Sequence, residues 1–306
     1  MFIYIIMKEI EDILKENRPK LTQASITTYR NCLLNVYKSI ADFPQDVVNP
    51  ELFITKQKEV LDYLKDIKFN LRKTILSALL VYTLNSKKPE VIDRYRNLMT
   101  NDIAKYNTSI KENRMSEEQK TNWIDWEEVM SVLNSLKKKT NYIWKEANPT
   151  NSMLYELQKY IILACYTLIP PRRLQDYTFM KIKNYSNKDD NFYNKKDFVF
   201  NKYKTKDVFG SQVLPLPNEL RLLLNKWIKK NNNNSDYLFN TEDGTKNLSP
   251  STLTKILNGI FRKKISASML RHIFITHLEP QINKLKEIAT DMGHSTNTQQ
   301  LYIKNK

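Results

Sequence analysis

Glycine is scarce in this chain, with four among 306 residues. Tight hairpins and left-handed turns draw heavily on glycine. Long i, i+3, i+4 apolar patterns accompany that scarcity, and together they argue for a mostly helical protein. In the first third, the spacing predicts a helix from Ser25 to Ile40, with Ile26, Tyr29, Leu33, Tyr37 and Ile40 on one face and Ser25 as N-cap. Further helices are predicted over Glu51–Leu64, Lys68–Asn85 (Leu71, Ile75, Leu79 and Tyr82 in one stripe) and Glu90–Lys105. This makes a bundle of about four helices.

The stretch Asn107–Asn122 (NTSIKENRMSEEQKTN) is polar, lacks apolar periodicity and reads as a connector. The predicted organisation is therefore a helical domain over 1–106, a linker over 107–122 and a second domain over 123–306. A helical pattern resumes from Trp126 to Lys139, and Tyr155–Leu168 is a nearly continuous apolar helix suited to a buried central position, ending at Pro170-Pro171. Then the period changes. Asp197–Thr205 and Ser211–Pro215, rich in β-branched and aromatic residues and flanking Gly210, read as antiparallel strands. Helices return at Asn218–Lys230, after the Ser249-Pro250 cap, at Ser266–Leu278 and at Gln281–Met292, with loops at Asn231–Asn234 and Glu242–Lys246. The fold class is mainly α with a small antiparallel β-sheet, an α+β arrangement. No internal repeat is visible.

Lys and Arg outnumber Asp and Glu 49 to 33, a net charge of +16, while hydrophobic residues make up 41%. The apolar share is that of a globular protein; the charge favours polyanionic partners. Two distant cysteines, Cys32 and Cys165, offer neither a disulfide framework nor a zinc pattern. The N-terminal run MFIYIIMKEIEDILKE lacks a basic leader and is too short to span a bilayer, and Met7 is an alternative start. No membrane association is expected, and the expected setting is intracellular.

Unusual residues concentrate in three segments of the second domain: LIPPRRLQDYTFMKI (Leu168–Ile182), KYKTKDVFG (Lys202–Gly210), and SMLRHIFITHL (Ser268–Leu278) continuing to MGHSTNTQQLY (Met292–Tyr302). Singly, each has an ordinary explanation. Paired arginines after a helix are commonly surface charges, and His294 beside Gly293 can be a neighbour of a helix C-cap. In order, however, they form a set: Arg173, followed three residues later by Asp176; Lys204 before a turn; Arg271 in LRH; Gly293-His294; and Tyr302. This order resembles the tyrosine recombinases, or phage integrases, over about Trp123–Tyr302. The first domain, with its helix ITTYRNCLLNVY, is similar to the family's helical core-binding domain. Where many members carry a histidine three residues before the second arginine, this chain has Ser268, and only four residues follow Tyr302. The PPRR segment and the short His-to-Tyr spacing are similar to viral relatives, which points to a viral or mobile-element integrase.

The resemblance implies a site-specific recombinase that cleaves and rejoins DNA through a 3′-phosphotyrosine. The residue types suit that chemistry. Tyr302 would be the nucleophile, and its ordinary ionisation near about 10 calls for a cluster of fixed positive charge. Arg173 and Arg271 offer planar donor forks to the two non-bridging phosphate oxygens. Lys204 could protonate the leaving oxygen, and His294 could donate to the phosphate. Ser268, His272 and Asp176 are supporting candidates, Asp176 as the partner that orients an arginine. Arg30, Arg72, Lys73, Lys202, Lys206 and Arg262 are candidate contacts to double-stranded DNA. The sequence contains no carboxylate cluster or glycine-rich phosphate loop, so neither metal nor nucleotide cofactor is expected. The resemblance also implies a homotetramer on two duplexes. A DNA-relaxing enzyme of the type IB topoisomerase kind, and a catalytically silent DNA-binding protein of the same fold, remain as alternatives.

Overall fold

Helices dominate the residues that the computed structural model describes, which are 2–41, 49–111, 114–231 and 235–299. The chain divides into two units, Met1–Arg114 and Met115–Lys306.

Unit 1 contains α1 (Phe2–Asn17), α2 (Gln23–Ile40), α3 (Pro50–Thr55), α4 (Gln57–Lys65), α5 (Phe69–Tyr82) and α6 (Pro89–Lys111). This is more than the four helices predicted, for two reasons. The N-terminal apolar run forms α1, whose Ile6, Ile10 and Leu14 recur every fourth residue and are buried, as an amphipathic helix requires. The helix predicted over Glu51–Leu64 is broken at Lys56, which leaves helical geometry (ψ +34°) while its Nζ donates to the Ile40 carbonyl, 2.8 Å away at the end of α2. A lysine that caps another helix's last carbonyl answers an unsatisfied acceptor, a demand invisible in local sequence. The cap of α2 also differs from expectation. Thr22 accepts the Ser25 N–H at 3.2 Å, so the helix starts two residues earlier and Ser25 lies within it.

The core of unit 1 gathers Leu33, Val36, Tyr37, Phe53, Ile75, Leu79, Tyr82 and Tyr95. The Tyr95 hydroxyl donates to the Phe53 carbonyl at 2.6 Å, which satisfies its one polar atom inside that core. No helix among the described residues is long and apolar enough to cross a membrane.

The polar stretch read as a connector is largely helical among the described residues. The last turns of α6 reach Lys111, and α7 (Glu117–Asn122) opens unit 2. A reciprocal capping box starts α7: Ser116 Oγ accepts the Gln119 N–H, and Gln119 Oε1 accepts the Ser116 N–H. Its Ser-x-x-Gln signature was legible, but the lack of apolar residues hid the helix behind it.

Unit 2 continues with α8 (Trp126–Thr140), a 3₁₀ turn at Asn141–Trp144, α9 (Asn151–Thr167) and α10 (Leu174–Thr178). Next come β1 (Met180–Lys181), β2 (Asn191–Tyr193), β3 (Asp197–Phe200), α11 (Lys206–Phe209) and β4 (Gln212–Pro215). The described part closes with α12 (Asn218–Lys230), α13 (Pro250–Phe261), α14 (Ala267–His277), α15 (Glu279–Asp291) and α16 (Thr296–Gln299). Every residue from Tyr160 to Thr167 is buried, so α9 is the central helix its continuous apolar run predicts. It packs against α8, α12 and α13.

The sheet has the order β1-β2-β3-β4. β3 and β4 pair antiparallel, with Phe198 opposite Leu214 and Phe200 opposite Gln212. β2 also pairs antiparallel with β3, but β1 pairs parallel with β2, so the sheet is mixed rather than purely antiparallel. A two-residue β1 is too short to show alternation in sequence. Tyr177, Tyr193, Phe198 and Phe200 meet edge to face, with centroids 5.5 to 6.5 Å apart, and seal one side of the sheet.

Candidate active site

The arginine segment begins where α9 must stop. Pro170 and Pro171 supply no backbone N–H and fix φ, so the chain leaves α9 extended. It re-enters a helix at α10, with Arg173 at the N-cap position (φ −72°, ψ 155°). Arg172 and Arg173 then diverge. Arg172 donates from Nε to Asp176 Oδ2 at 2.9 Å and from Nη1 to Gln212 Oε1 at 3.1 Å. Its guanidinium carbon lies 3.8 Å from the centroid of the Phe200 ring and 5.4 Å from that of Tyr203. Arg173 is half-buried and meets no carboxylate among the described residues. Asp176 does orient an arginine: the carboxylate that stands three residues after Arg173 is bonded to Arg172, four residues away. Asp176 is 3% exposed, and its second oxygen, Oδ1, has no hydrogen-bond partner among the described residues.

Lys204 lies in the connection from β3 to β4, which is not a tight β-turn but contains α11. Its two ends are fixed by buried asparagines. Asn191 Oδ1 accepts the N–H groups of Asn201 and Lys202, and its Nδ2 donates to the Lys202 carbonyl. Asn201 in turn accepts from Ser211 Oγ at 2.6 Å. Tyr203 donates from its hydroxyl to the Gly210 carbonyl at 2.7 Å, across the connection. Gly210 closes α11 with φ +68°, a conformation open to glycine and strained for other residues. The tip that results exposes Lys204 and Lys206 together with Val208 (75% exposed) and Phe209 (63%).

Arg271 sits on α14, which Ser266 caps by accepting the Met269 N–H. Leu270 and Ile273 anchor the helix, leaving Ser268, Arg271 and His272 exposed. No acid pairs with Arg271 among the described residues. His277, the remaining histidine, lies 3.5 Å from Glu127 and stacks on Trp126. At the end of α15, the Gly293 N–H bonds to the Thr290 carbonyl and the His294 N–H to the Ala289 carbonyl, with Gly293 at φ +75°. This is a Schellman ending, so Gly293 turns the chain and His294 is held in place by its own backbone. Tyr302 lies outside the described residues.

The other tyrosines near the arginine segment are poor nucleophiles. Burial holds Tyr166 and Tyr177 well above the ordinary tyrosine range and pushes Tyr193 up to about 12.

Among the proposed DNA contacts, Lys73, Lys202, Lys206 and Arg262 are exposed. Arg30 and Arg72 are not free in the same sense. Arg30 pairs with Glu11, and Arg72 binds both carboxylate oxygens of Asp102 at 2.6 and 2.7 Å. Sequence reasoning missed Arg172, Asn191, Asn201 and Gln212. The doubled arginine and its i, i+4 spacing to Asp176 were a readable signal; a single asparagine in a polar stretch gives none. Among the described residues, no group of three or more His, Cys, Asp and Glu side chains comes together.

Comparison with known proteins gives one result that carries weight. No curated protein matches the chain. The solved structure of XerA recombinase is similar at 14% identity over 98% of this chain and 94% of that one, but with a TM-score of 0.37, too low to support an argument. The model of the phage integrase family matches residues 122–306, which is more than half of the chain and contains the Arg173 segment, the Lys204 connection, Arg271, His294 and Tyr302. By that match, the chain belongs to the phage integrase family, the tyrosine recombinases.

Proposed function

We propose that the protein is a site-specific DNA recombinase that cuts and rejoins strands through a covalent 3′-phosphotyrosine. One observation carries this reading. Within the matched segment, Arg173, Lys204 and Arg271 are three cations without a carboxylate partner among the described residues, and they stand in the family's order ahead of His294 and Tyr302.

In the reaction, the Tyr302 phenol gives up its proton to solvent and its oxygen attacks the scissile phosphorus. The bond from phosphorus to the 5′-oxygen breaks, and Lys204 transfers a proton to that oxygen. Arg173 and Arg271 neutralise the non-bridging oxygens as charge builds, and His294 donates to one of them. Such preorganised donors contribute about 3–4 kcal/mol each to lowering the barrier. Ser268 and His272, exposed on the same helix as Arg271, are further donors to the DNA backbone. The phosphotyrosine keeps the energy of the broken ester, so rejoining needs no nucleotide and, on this reading, no metal.

Grip on the duplex comes from Lys73, Lys202, Lys206 and Arg262, and from the tip at Val208 and Phe209, where apolar side chains sit among lysines as in wedges that enter a groove. Arg30 and Arg72, whose charges are already met by Glu11 and Asp102, contribute less. Four copies acting on two duplexes is the assembly this reading requires. A viral or mobile-element origin fits the PPRR segment.

A nicked duplex that loses the short fragment bearing the new 5′-hydroxyl after cleavage traps the adduct. With a cognate site selected from a library, wild-type protein in EDTA is expected to give an SDS-resistant protein–DNA band, and Tyr302→Phe none. A band that persists in Tyr302→Phe would move the nucleophile elsewhere. Salt-sensitive binding with no band on any site would favour a silent DNA-binding protein, and relaxation without exchange between duplexes would favour a topoisomerase.

A further inference from the structure

Arg172 joins three pieces of the site without reaching out of it. Its Nε holds Asp176 of α10, its Nη1 holds Gln212 of β4, and its flat face covers Phe200 of β3. Its side chain is 20% exposed. Two of its five donors are committed, and its face is taken by an aromatic ring.

β3 and β4 are the two ends of the connection that carries Lys204. That connection is stiffened by Asn191, by Asn201 with Ser211, and by Tyr203 with Gly210. Those bonds fix its shape, but apart from an Asn191 bond to the Asp176 carbonyl at 3.3 Å, they do not tie it to the arginine segment. Tyr177 packs on Phe198 and Phe200 of β3, and the side-chain hydrogen bond from the arginine segment to β4 comes from Arg172, the residue immediately before Arg173. Moving Arg172 would therefore shift Lys204 relative to Arg173, and proton transfer is sensitive to such shifts.

We infer that Arg172 is a positioning residue for proton delivery: it holds the Lys204 connection in register with Arg173 while touching neither the phosphate nor the leaving oxygen. This rests on the strand-transfer reading above. It also separates the two adjacent arginines by role. Arg173 meets the phosphate, and Arg172 places the acid.

The test compares two nicked duplexes of one sequence, with oxygen or with sulfur at the 5′-bridging position of the scissile phosphate. A thiol ionises near about 8.5, so sulfur departs without needing a proton from the protein. The readout is the single-turnover rate of adduct formation. Arg172→Gln is expected to slow cleavage of the oxygen duplex by about 10- to 100-fold, by analogy with losing a contact that orients a metal ligand, yet to cleave the sulfur duplex close to the wild-type rate. Lys204→Ala should show the same rescue more strongly. Arg173→Lys should be slow on both. Gln212→Leu cuts only the bond to β4 and keeps the buried Arg172–Asp176 pair, so it tests the tie in a chain that keeps its fold. It should be slower than wild type on oxygen and restored on sulfur.

Equal loss on both duplexes in Arg172→Gln, with Arg173→Lys still active, would make Arg172 the phosphate ligand and overturn the inference. Wild-type rates on both duplexes in Gln212→Leu would overturn it as well. If wild type gives no adduct with either duplex, the strand-transfer reading itself fails, and the inference with it.

Discussion

In unit 1 the guanidinium of Arg72 meets both carboxylate oxygens of Asp102, and that of Arg30 meets Glu11; in unit 2 Arg173 and Arg271 meet no carboxylate among the described residues. Asp102 is 5% exposed, so Arg72 neutralises a charge that would otherwise be stranded in the interior. In unit 2 the arginines without a carboxylate partner lie within the segments that carry the family's motif. The contrast shows why a count of basic residues misleads. A net charge of +16 describes the whole chain, but only cations without an internal partner remain available to a phosphate. Arg172 belongs with the unit 1 arginines by its bonding and with the unit 2 arginines by its place, which makes it a hinge between the two uses.

The sharpest way to test the contrast is to remove one arginine from each unit. Arg271→Ala should raise the cleavage barrier by about 3–4 kcal/mol, roughly 10²- to 10³-fold in rate, while leaving the melting temperature near wild type, because Arg271 is exposed and meets no carboxylate among the described residues. Single-turnover cleavage and calorimetry read the two effects separately. Arg72→Ala should do the reverse. Stranding Asp102 should cost about 3 kcal/mol of stability, read by denaturant unfolding, with little change in cleavage rate per folded molecule. If Arg72→Ala instead lowered DNA affinity without lowering stability, the division of roles between the units would fail.

Smaller effects refine the picture within unit 2. Gly293→Ala places a side chain at φ +75°, at a cost of about 1–2 kcal/mol. Because the same turn sets His294, cleavage should fall along with stability, whereas Arg271→Ala separates the two. The smallest effect is expected from Lys206→Gln on the exposed tip. One fewer neutralised phosphate should reduce the slope of log affinity against log salt by about 0.9, measured by a binding titration across salt concentrations, with cleavage at saturating protein unchanged.

Much of the fold was legible. The apolar run of α9, the β-branched and aromatic runs that give β3 and β4, the Ser249-Pro250 start of α13 and the Gly293 turn all follow from local rules, although β3 ends at Phe200, short of the strand expected to reach Thr205, because the chain there turns into α11. The misses share a cause. α1 was overlooked because a short apolar run was weighed as a membrane segment rather than as a core stripe. α7 and the end of α6 were overlooked because a polar helix leaves no apolar period. The break at Lys56 and the parallel β1 depend on partners far along the chain.

By itself, the sequence determined that this is a two-part, mainly helical, basic protein, and the order Arg173, Lys204, Arg271, His294 and Tyr302 identified its family, since spacing and residue type are linear properties. Only the tertiary structure decided which charges are spent on the fold. Asp176 lies three residues from one arginine and four from another, and since both separations suit a helical pair, spacing offers each arginine as a partner without choosing between them. The choice follows from the Pro170-Pro171 exit, which leaves Arg172 against Phe200 with one donor on Gln212 and another on Asp176, and puts Arg173 at the helix cap, where it meets no acid among the described residues. Pairing is a property of position in space, and chain neighbours separated by one residue can be sent to opposite tasks.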